Sequence, residues 1–130
     1  MPRSPDISGD PRVTYSTPRG AAWVGDAIET LDLHCDDESV DLVVTSPPFA
    51  LQRPKEYGNE SQQSYKDWFL PFADEFWRVL KPTGSLVIDL GGAWEAGQPV
   101  KSIYQFELLV SLCRRPNRAF VLAQDFYADW

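Results

Sequence analysis

The residues best suited to chemistry in this sequence form the run Ser46-Pro47-Pro48-Phe49, which follows a stretch of β-branched and apolar residues. A residue that precedes proline is pushed out of the helical region, so Ser46 and Pro47 should both be extended. Proline also lacks the N–H that a β ladder requires, so a strand must end here. The Pro47 carbonyl then has no ladder partner and can point into a cleft beside the Ser46 hydroxyl, with Phe49 offering a flat apolar face.

Two hydrogen-bond acceptors beside an aromatic ring suit one specific reaction. The exocyclic amine of a nucleobase is a poor nucleophile because its lone pair is delocalised into the ring. Acceptors on its two N–H bonds help the nitrogen to pyramidalise and attack a methyl sulfonium in line. Ser46 and Pro47 would be those acceptors, and Phe49 would stack on a base flipped out of a duplex. The alternative is a Pro-Pro turn that only ends a strand.

The elements around this run are predicted from periodicity. Residues 40–45 form a β-branched run that is nearly all apolar after Asp41, which is typical of a strand buried on both faces of a parallel sheet. Apolar residues recur at spacings of three and four from Tyr65 to Leu80, which predicts a helix whose apolar stripe packs in the core, kinked at Pro71 and ended by Lys81-Pro82-Thr83-Gly84. The same reasoning predicts strands at 21–24, 85–90 and 119–127 and helices at 27–33 and 102–112. This alternation indicates an α/β fold with a mostly parallel sheet.

The remaining segments are read as connections. Residues 1–20 contain four prolines and two glycines and are expected to be an irregular lead-in. Residues 50–63 form a long polar loop, and loops of this length are often functional. Asp26 is placed to cap the helix at 27–33, with Glu29 at the third position of a capping box.

Composition limits the possible functions. The chain has 130 residues, 43% hydrophobic, which suits one globular domain, and no apolar run long enough to span a membrane. The N-terminus has no apolar segment of the signal-peptide type, so we expect a cytoplasmic protein. Cys35 and Cys113 are expected to be small buried residues, and one His34–Cys35 pair predicts no metal site. The net charge of −7 is unusual for a DNA-binding protein, so a grip on DNA must come largely from elsewhere.

Several motifs together resemble one enzyme family. They run in order along the chain: Gly25-Asp26-Ala27, Val40-Asp41-Leu42-Val43-Val44, Thr45-Ser46-Pro47-Pro48-Phe49, Glu56-Tyr57-Gly58-Asn59, Asp67-Trp68-Phe69-Leu70, Leu80-Lys81-Pro82, Gly91-Gly92-Ala93, Ser102-Ile103-Tyr104 and Asp125-Phe126-Tyr127. Over residues 15 to 127 the chain resembles the amino-methyltransferases that modify cytosine N4 or adenine N6 in DNA. The PvuII-type cytosine-N4 enzymes, with their permuted motif order, look most similar.

The resemblance implies a partial Rossmann-like fold that uses S-adenosylmethionine as methyl donor on duplex DNA, within a restriction–modification system. It implies catalytic roles for Ser46, Pro47, Pro48 and Phe49. Asp26 and Thr45 would lie at the cofactor. Family members with Asp in place of Ser46 typically act on adenine, so Ser-Pro-Pro-Phe favours cytosine and leaves adenine as the alternative.

Two further features of the chain are interpreted beside this resemblance. Arg53 and Lys55, in the long loop, would contact DNA phosphates or else be merely solvated. Gly91-Gly92 is interpreted mainly as a turn at a strand end, because no full glycine-rich cofactor loop surrounds it.

The chain lacks motifs that the family carries later in its sequence. The family order is catalytic half, target-recognition region, then a Phe-x-Gly-x-Gly loop that holds the cofactor, and no such loop occurs here. Residues 21–130 would then be the N-terminal part of a methylase domain. Three accounts stay open: one subunit of a split enzyme whose second chain carries the missing parts, an inactive truncated product, or a non-catalytic binding module.

Overall fold

The computed structural model describes residues 12–48 and 64–127, which contain four strands and three helices. In chain order these are β1 (Val13–Thr17), β2 (Gly20–Trp23), α1 (Ala27–His34), β3 (Val40–Thr45), α2 (Tyr65–Val79), β4 (Leu80–Ile88) and α3 (Tyr104–Arg114). The described part of the chain divides into two compact units. The first comprises residues 12–45 and 71–87, and the second comprises residues 46–48, 64–70 and 88–127. Among the described helices, none is long and apolar enough to cross a membrane.

The first unit begins with an antiparallel hairpin of β1 and β2. The strands meet where Thr17 pairs with Gly20, so the turn is the two residues Pro18 and Arg19. The Thr17 hydroxyl accepts the Arg19 N–H at 3.2 Å and donates to the Gly20 carbonyl at 3.3 Å. The strand predicted at 21–24 is confirmed as β2. The irregular lead-in predicted for residues 1–20 is wrong over β1. The prolines suggested irregular structure, but Pro18 lies in the hairpin turn that joins β1 to β2.

Helix α1 follows the hairpin and is capped as predicted. The Glu29 backbone N–H donates to Asp26 Oδ1 at 3.0 Å, which satisfies one of the free donors at the helix N-terminus. The helix extends to His34, one residue beyond the predicted end. Its last turn closes with a hydrogen bond from the Cys35 N–H to the Leu31 carbonyl at 2.8 Å.

Strands β3 and β4 form a parallel pair. β3 has the predicted bounds, whereas β4 begins at Leu80, not at Ser85. The segment expected to end a helix is therefore extended, which agrees with the bias against helix that Pro82 imposes on the residue before it. Lys81 Nζ donates to Asp41 Oδ1 across the pair at 2.9 Å.

The expected burial of β3 on both faces is wrong. Leu42 is 55% exposed and Val44 66% exposed. Within the described residues β4 is the sole strand hydrogen-bonded to β3, so the strand lacks the neighbours that would cover it. A run of apolar residues indicates that a strand favours burial. It does not show whether neighbouring segments of the same chain cover that strand.

Helix α2 gives each unit part of its core. In the first unit its buried side chains are Ala73, Phe76 and Val79, and in the second they are Tyr65 and Phe69. The prediction that the aromatic stripe packs in the core is confirmed for these positions. The helix includes Pro71 and ends at Val79, so it runs through the proline although that residue cannot donate a backbone hydrogen bond.

Helix α3 completes the second unit. It spans Tyr104–Arg114, two residues later at each end than predicted, and buries Tyr104, Leu108 and Leu112. The strand predicted at 119–127 is wrong, because the structure has no strand there. A strand needs a neighbour for its ladder hydrogen bonds, and no described segment pairs with this one. Val121 is 90% exposed and Phe126 81% exposed.

Candidate active site at the ends of β3 and β4

The predicted catalytic run leaves the carboxyl end of β3. Thr45 is the last residue of the strand, Ser46 is exposed, and Pro47 and Pro48 are half-buried outside regular secondary structure. The side chain of Ser46 is thus accessible at the edge where ligand sites open in parallel sheets. The predicted site residues Phe49, Arg53 and Lys55 lie outside the described residues.

A buried tyrosine from α2 holds this run. Tyr65, which has no exposed surface, donates its hydroxyl hydrogen to the Pro48 carbonyl oxygen at 2.6 Å. Burial, and secondarily the neighbouring Tyr104, raises the pKa of Tyr65 above its ordinary value of 10.0. The phenol therefore stays protonated and keeps its capacity to donate throughout the neutral and mildly alkaline range. Sequence periodicity placed Tyr65 in the core but gave no sign of this hydrogen bond.

A second buried tyrosine holds the segment that follows β4. Tyr104, at the start of α3 and 2% exposed, donates its hydroxyl hydrogen to the Gly91 carbonyl oxygen. Its ring meets the Tyr65 ring edge-on, with centroids 4.9 Å apart and planes at 63°. Gly91 and Gly92, interpreted as a strand-end turn, lie in the segment that follows β4, and this segment has no regular turn. A Cβ on Gly92 would stand 3.4 Å from Gln105 Nε2, so the segment lies close against α3.

The segment between Gly92 and α3 is held by a short pairing. Ser102 donates its backbone N–H to the Ala93 carbonyl at 2.7 Å, and Glu95 donates to the Val100 carbonyl at 2.7 Å. Lys101 Nζ lies 5.6 Å from the centre of the Trp94 ring, within cation–π range. The loop after β4 therefore has a defined path back to Tyr104.

Asp89 is a candidate that the motif analysis did not single out for chemistry. It is exposed and follows the last residue of β4, as Ser46 follows the last residue of β3. Because the two strands are parallel, their carboxyl ends meet at the same edge of the sheet. The signal available in the sequence was a carboxylate directly after the strand predicted at 85–90.

The start of β3 is fixed by Arg78 of α2 in the first unit. Its Nη1 donates to the Cys35 carbonyl at 2.9 Å and to Asp37 Oδ1 at 2.7 Å, and Nη2 donates to the Leu31 carbonyl at 3.2 Å. The guanidinium also pairs with Glu75 one turn earlier. One side chain thus ties the last turn of α1 and the following residues to α2.

The predicted cofactor residues lie in the first unit. Asp26 is exposed, and the hydrogen bond that caps α1 uses its Oδ1 oxygen alone. Thr45 is half-buried at the end of β3. Across the described residues, no three His, Cys, Asp or Glu side chains are grouped so that they could hold a metal ion. His34 stacks on the Trp23 ring at 5.0 Å, and Cys35 and Cys113 are free thiols that are only half-buried.

The family follows from the comparison with known sequences. A family model described as a DNA methylase, that of the N6 and N4 methyltransferases, matches residues 40–126. That range includes β3, the Ser46-Pro47-Pro48 run, α2, β4 and α3. The chain therefore belongs to the N6/N4 DNA methylase family.

Individual relatives show which members of this family the chain resembles. The type II methyltransferase M.PvuII of Proteus hauseri is 50% identical over 113 residues, which cover 87% of this chain and 33% of that enzyme. M.BamHI of Bacillus amyloliquefaciens is 39% identical over 77 residues, or 57% of this chain and 18% of that enzyme. The solved PvuII DNA methyltransferase, described as cytosine-N4-specific, matches with a TM-score of 0.73 and 46% identity over 88% of this chain and 40% of its own. The resemblance and the partial Rossmann-like α/β fold are thereby confirmed. The chain spans a third or less of the length of the curated relatives it matches and 40% of the solved PvuII chain.

Proposed function

We propose that this chain supplies the target-base part of a DNA cytosine-N4 methyltransferase that uses S-adenosylmethionine and serves a restriction–modification system. One observation carries the proposal: Ser46, Pro47 and Pro48 leave the end of a parallel strand with the serine hydroxyl accessible and the last proline carbonyl anchored. The identities to a type II methyltransferase and to a structure described as cytosine-N4-specific support cytosine over adenine.

The run is proposed to activate the amine by accepting its hydrogens. In a nucleobase the amino nitrogen shares its lone pair with the ring and reacts poorly. The Ser46 hydroxyl and the Pro47 carbonyl would each accept one N–H, which favours a pyramidal nitrogen whose lone pair is aligned for attack. Phe49 would stack on the flipped base and hold its plane. These three residues orient the nucleophile and need not form a covalent bond with it.

The proton released in the reaction requires an acceptor. Transfer of the methyl group that the cofactor would supply would leave the bonding electron pair with the donor sulfur and would add a fourth bond to the amine nitrogen. The nitrogen then carries a positive charge and loses one proton. Asp89 is the proposed acceptor, directly or through one water, because its carboxylate follows β4 at the edge where Ser46 follows β3.

The cofactor, when bound, supplies an electrophilic methyl group. Asp26 suits part of its binding, because one carboxylate oxygen caps α1 while the exposed side chain can accept ribose hydroxyls with the other. Thr45, at the end of β3, would line the same site. The sequence has no Phe-x-Gly-x-Gly loop, so these residues form only part of a cofactor site.

Duplex DNA and a further polypeptide are the proposed partners. The net charge of −7 leaves phosphate neutralisation to a few side chains, among which Arg53 and Lys55 are proposed to contact the backbone. The matched share of M.PvuII is 33%, so the proposed second polypeptide would correspond to the remaining part of such an enzyme, with the glycine loop and target recognition. This chain and its proposed partners would occur together in the cytoplasm.

A complementation assay tests the proposal. The purified chain is mixed with the remaining part of M.PvuII, duplex DNA and radiolabelled S-adenosylmethionine, and methyl transfer is followed in single turnovers. We expect transfer by the mixture, a fall of about 100-fold or more for Ser46→Ala, and no change for Ser85→Ala, an exposed serine in β4. Equal rates for both variants would remove Ser46 from the site.

Two alternatives are separated by the same assay. The matching family model covers adenine-N6 as well as cytosine-N4 enzymes, so the methylated nucleoside decides between the two bases. Absence of transfer under every pairing, together with absence of cofactor binding by calorimetry, would favour an inactive fragment or a binding module.

A further inference from the structure

Two buried tyrosines of the second unit hold the two segments of the candidate site. Tyr65 donates to the carbonyl of Pro48, after β3, and Tyr104 donates to the carbonyl of Gly91, after β4. The two rings are in edge contact at 4.9 Å, and their exposures are 0% and 2%. The two segments that carry Ser46 and Asp89 are therefore anchored to a single aromatic pair.

Packing fixes where the Tyr65 hydroxyl can be. Its ring contacts Trp68 at 5.2 Å and Phe69 at 6.5 Å between centroids, in addition to Tyr104. A phenol has two side-chain torsions, and dense packing freezes both. The hydroxyl oxygen thus stands at a set position from which its hydrogen points to the Pro48 carbonyl.

Few rotatable bonds separate the Pro48 carbonyl, which the Tyr65 hydroxyl anchors, from the Pro47 carbonyl. The peptide bond between the two prolines is planar, and the Pro48 ring locks φ near −65°. One soft torsion, ψ of Pro48, therefore separates the Pro48 carbonyl from the peptide plane that holds the Pro47 carbonyl. Fixing the Pro48 carbonyl therefore leaves this one torsion as the main freedom of the Pro47 carbonyl.

We propose that Tyr65 is a positioning residue that aims the Pro47 carbonyl at the substrate amine, and that Tyr104 steadies both Tyr65 and the segment that follows Asp89. The inference rests on the proposed function, because it assumes that the Pro47 carbonyl accepts an amine hydrogen. Tyr65 itself does not touch the substrate. Its effect on the reaction is geometric and depends on one hydroxyl group.

The kinetic test removes that hydroxyl and keeps the ring. Tyr65→Phe preserves the aromatic packing, and Tyr15→Phe is the matched control because Tyr15 is 67% exposed. In the complementation assay we expect kcat for Tyr65→Phe to fall about 10- to 100-fold. KM for DNA should stay within about twofold, because the base still enters and stacks. A purely structural role would lower the active fraction, whereas the active-site titre measured by single-turnover amplitude should not change.

A second measurement follows the anchor without any catalysis. The chain is labelled with carbonyl-¹³C proline, and infrared difference spectra are taken between wild type and each variant. Tyr65→Phe should shift one proline carbonyl band to higher frequency as its hydrogen bond is lost, and Tyr15→Phe should shift none.

The outcomes are distinguishable. An active wild type with unchanged kcat in Tyr65→Phe overturns this inference alone, and an unshifted carbonyl band overturns the anchor itself. An inactive wild type under every pairing overturns the proposed function and the kinetic role of Tyr65, while the infrared result still decides whether the anchor exists.

Discussion

Replacing Arg78 by Ala should be among the most damaging single substitutions at a charged residue of this chain. The guanidinium donates to the carbonyls of Leu31 and Cys35 at 3.2 and 2.9 Å and pairs with Glu75 and Asp37. It connects the last turn of α1 to α2, and the next residues lead into β3, whose end carries the candidate site. Its loss should therefore lower the stability of the first unit.

The magnitude follows from the burial of each partner. A hydrogen bond to a charged group contributes about 1.5–3 kcal/mol, and there are two to backbone carbonyls. Asp37 is 76% exposed, so its ion pair adds only about 0–1 kcal/mol. Arg78 keeps 27% of its surface exposed, so water replaces some of what is lost. Taking the lower values, the free energy of unfolding should fall by about 3 kcal/mol for Arg78→Ala.

Urea denaturation followed by tryptophan fluorescence measures this change. Lys81→Ala is the matched control, because Lys81 is 38% exposed and its partner Asp41 78% exposed, and it should cost about 0–1 kcal/mol. Arg78→Lys should fall between the two, since an ammonium group cannot span the same acceptors. If Arg78→Ala cost no more than Lys81→Ala, the hydrogen bonds and ion pairs of Arg78 would not stabilise the fold.

Three other perturbations have expected outcomes. Gly84→Ala should lower the free energy of unfolding by about 1–3 kcal/mol, because a Cβ would meet backbone carbonyl oxygens at 3.0 and 3.2 Å, whereas Gly20→Ala, with open space, should change little in the same urea experiment. In an absorbance titration, Tyr65 should remain un-ionised above pH 10 until the chain unfolds, because its pKa is raised in the fold. The contribution of Tyr65 to the free energy of unfolding is therefore fully present below pH 10 and decreases as the pH rises further. Ionisation of Tyr65 in the folded chain with a midpoint at 10.0 would contradict the burial that raises its pKa. Val121 and Phe126 are 90% and 81% exposed, so we expect the wild-type chain to self-associate through them in sedimentation velocity. The substitutions Val121→Lys and Phe126→Lys should reduce this self-association, and unchanged association would exclude the segment as its cause.

Local signals in the sequence predicted the elements that position the site. The cap at Asp26 and the bounds of β3 were both readable, because each depends on residues within a few positions. The aromatic stripe of α2 identified Tyr65 and Phe69 as core for the same reason. Ser46-Pro47-Pro48 was readable as a strand end because prolines exclude a ladder.

What the sequence left open depends on distant partners. Whether 119–127 forms a strand depends on a neighbour that no described segment provides. The hydrogen bond from Tyr65 to Pro48 joins residues 17 positions apart and has no periodic signature. The role of Arg78 depends on carbonyls 43 and 47 positions away. Phe49, Arg53 and Lys55 stay predictions, since they lie outside the described residues.

We propose that this chain directs methylation to the amino group of cytosine. To test this, the DNA from the complementation reaction is digested to nucleosides and the methylated nucleoside is identified by mass spectrometry. We expect N4-methylcytosine, produced only when the wild-type chain and the complementing polypeptide are both present and lost with Ser46→Ala. Detection of N6-methyladenine in place of N4-methylcytosine, or of N4-methylcytosine without this chain, would contradict it.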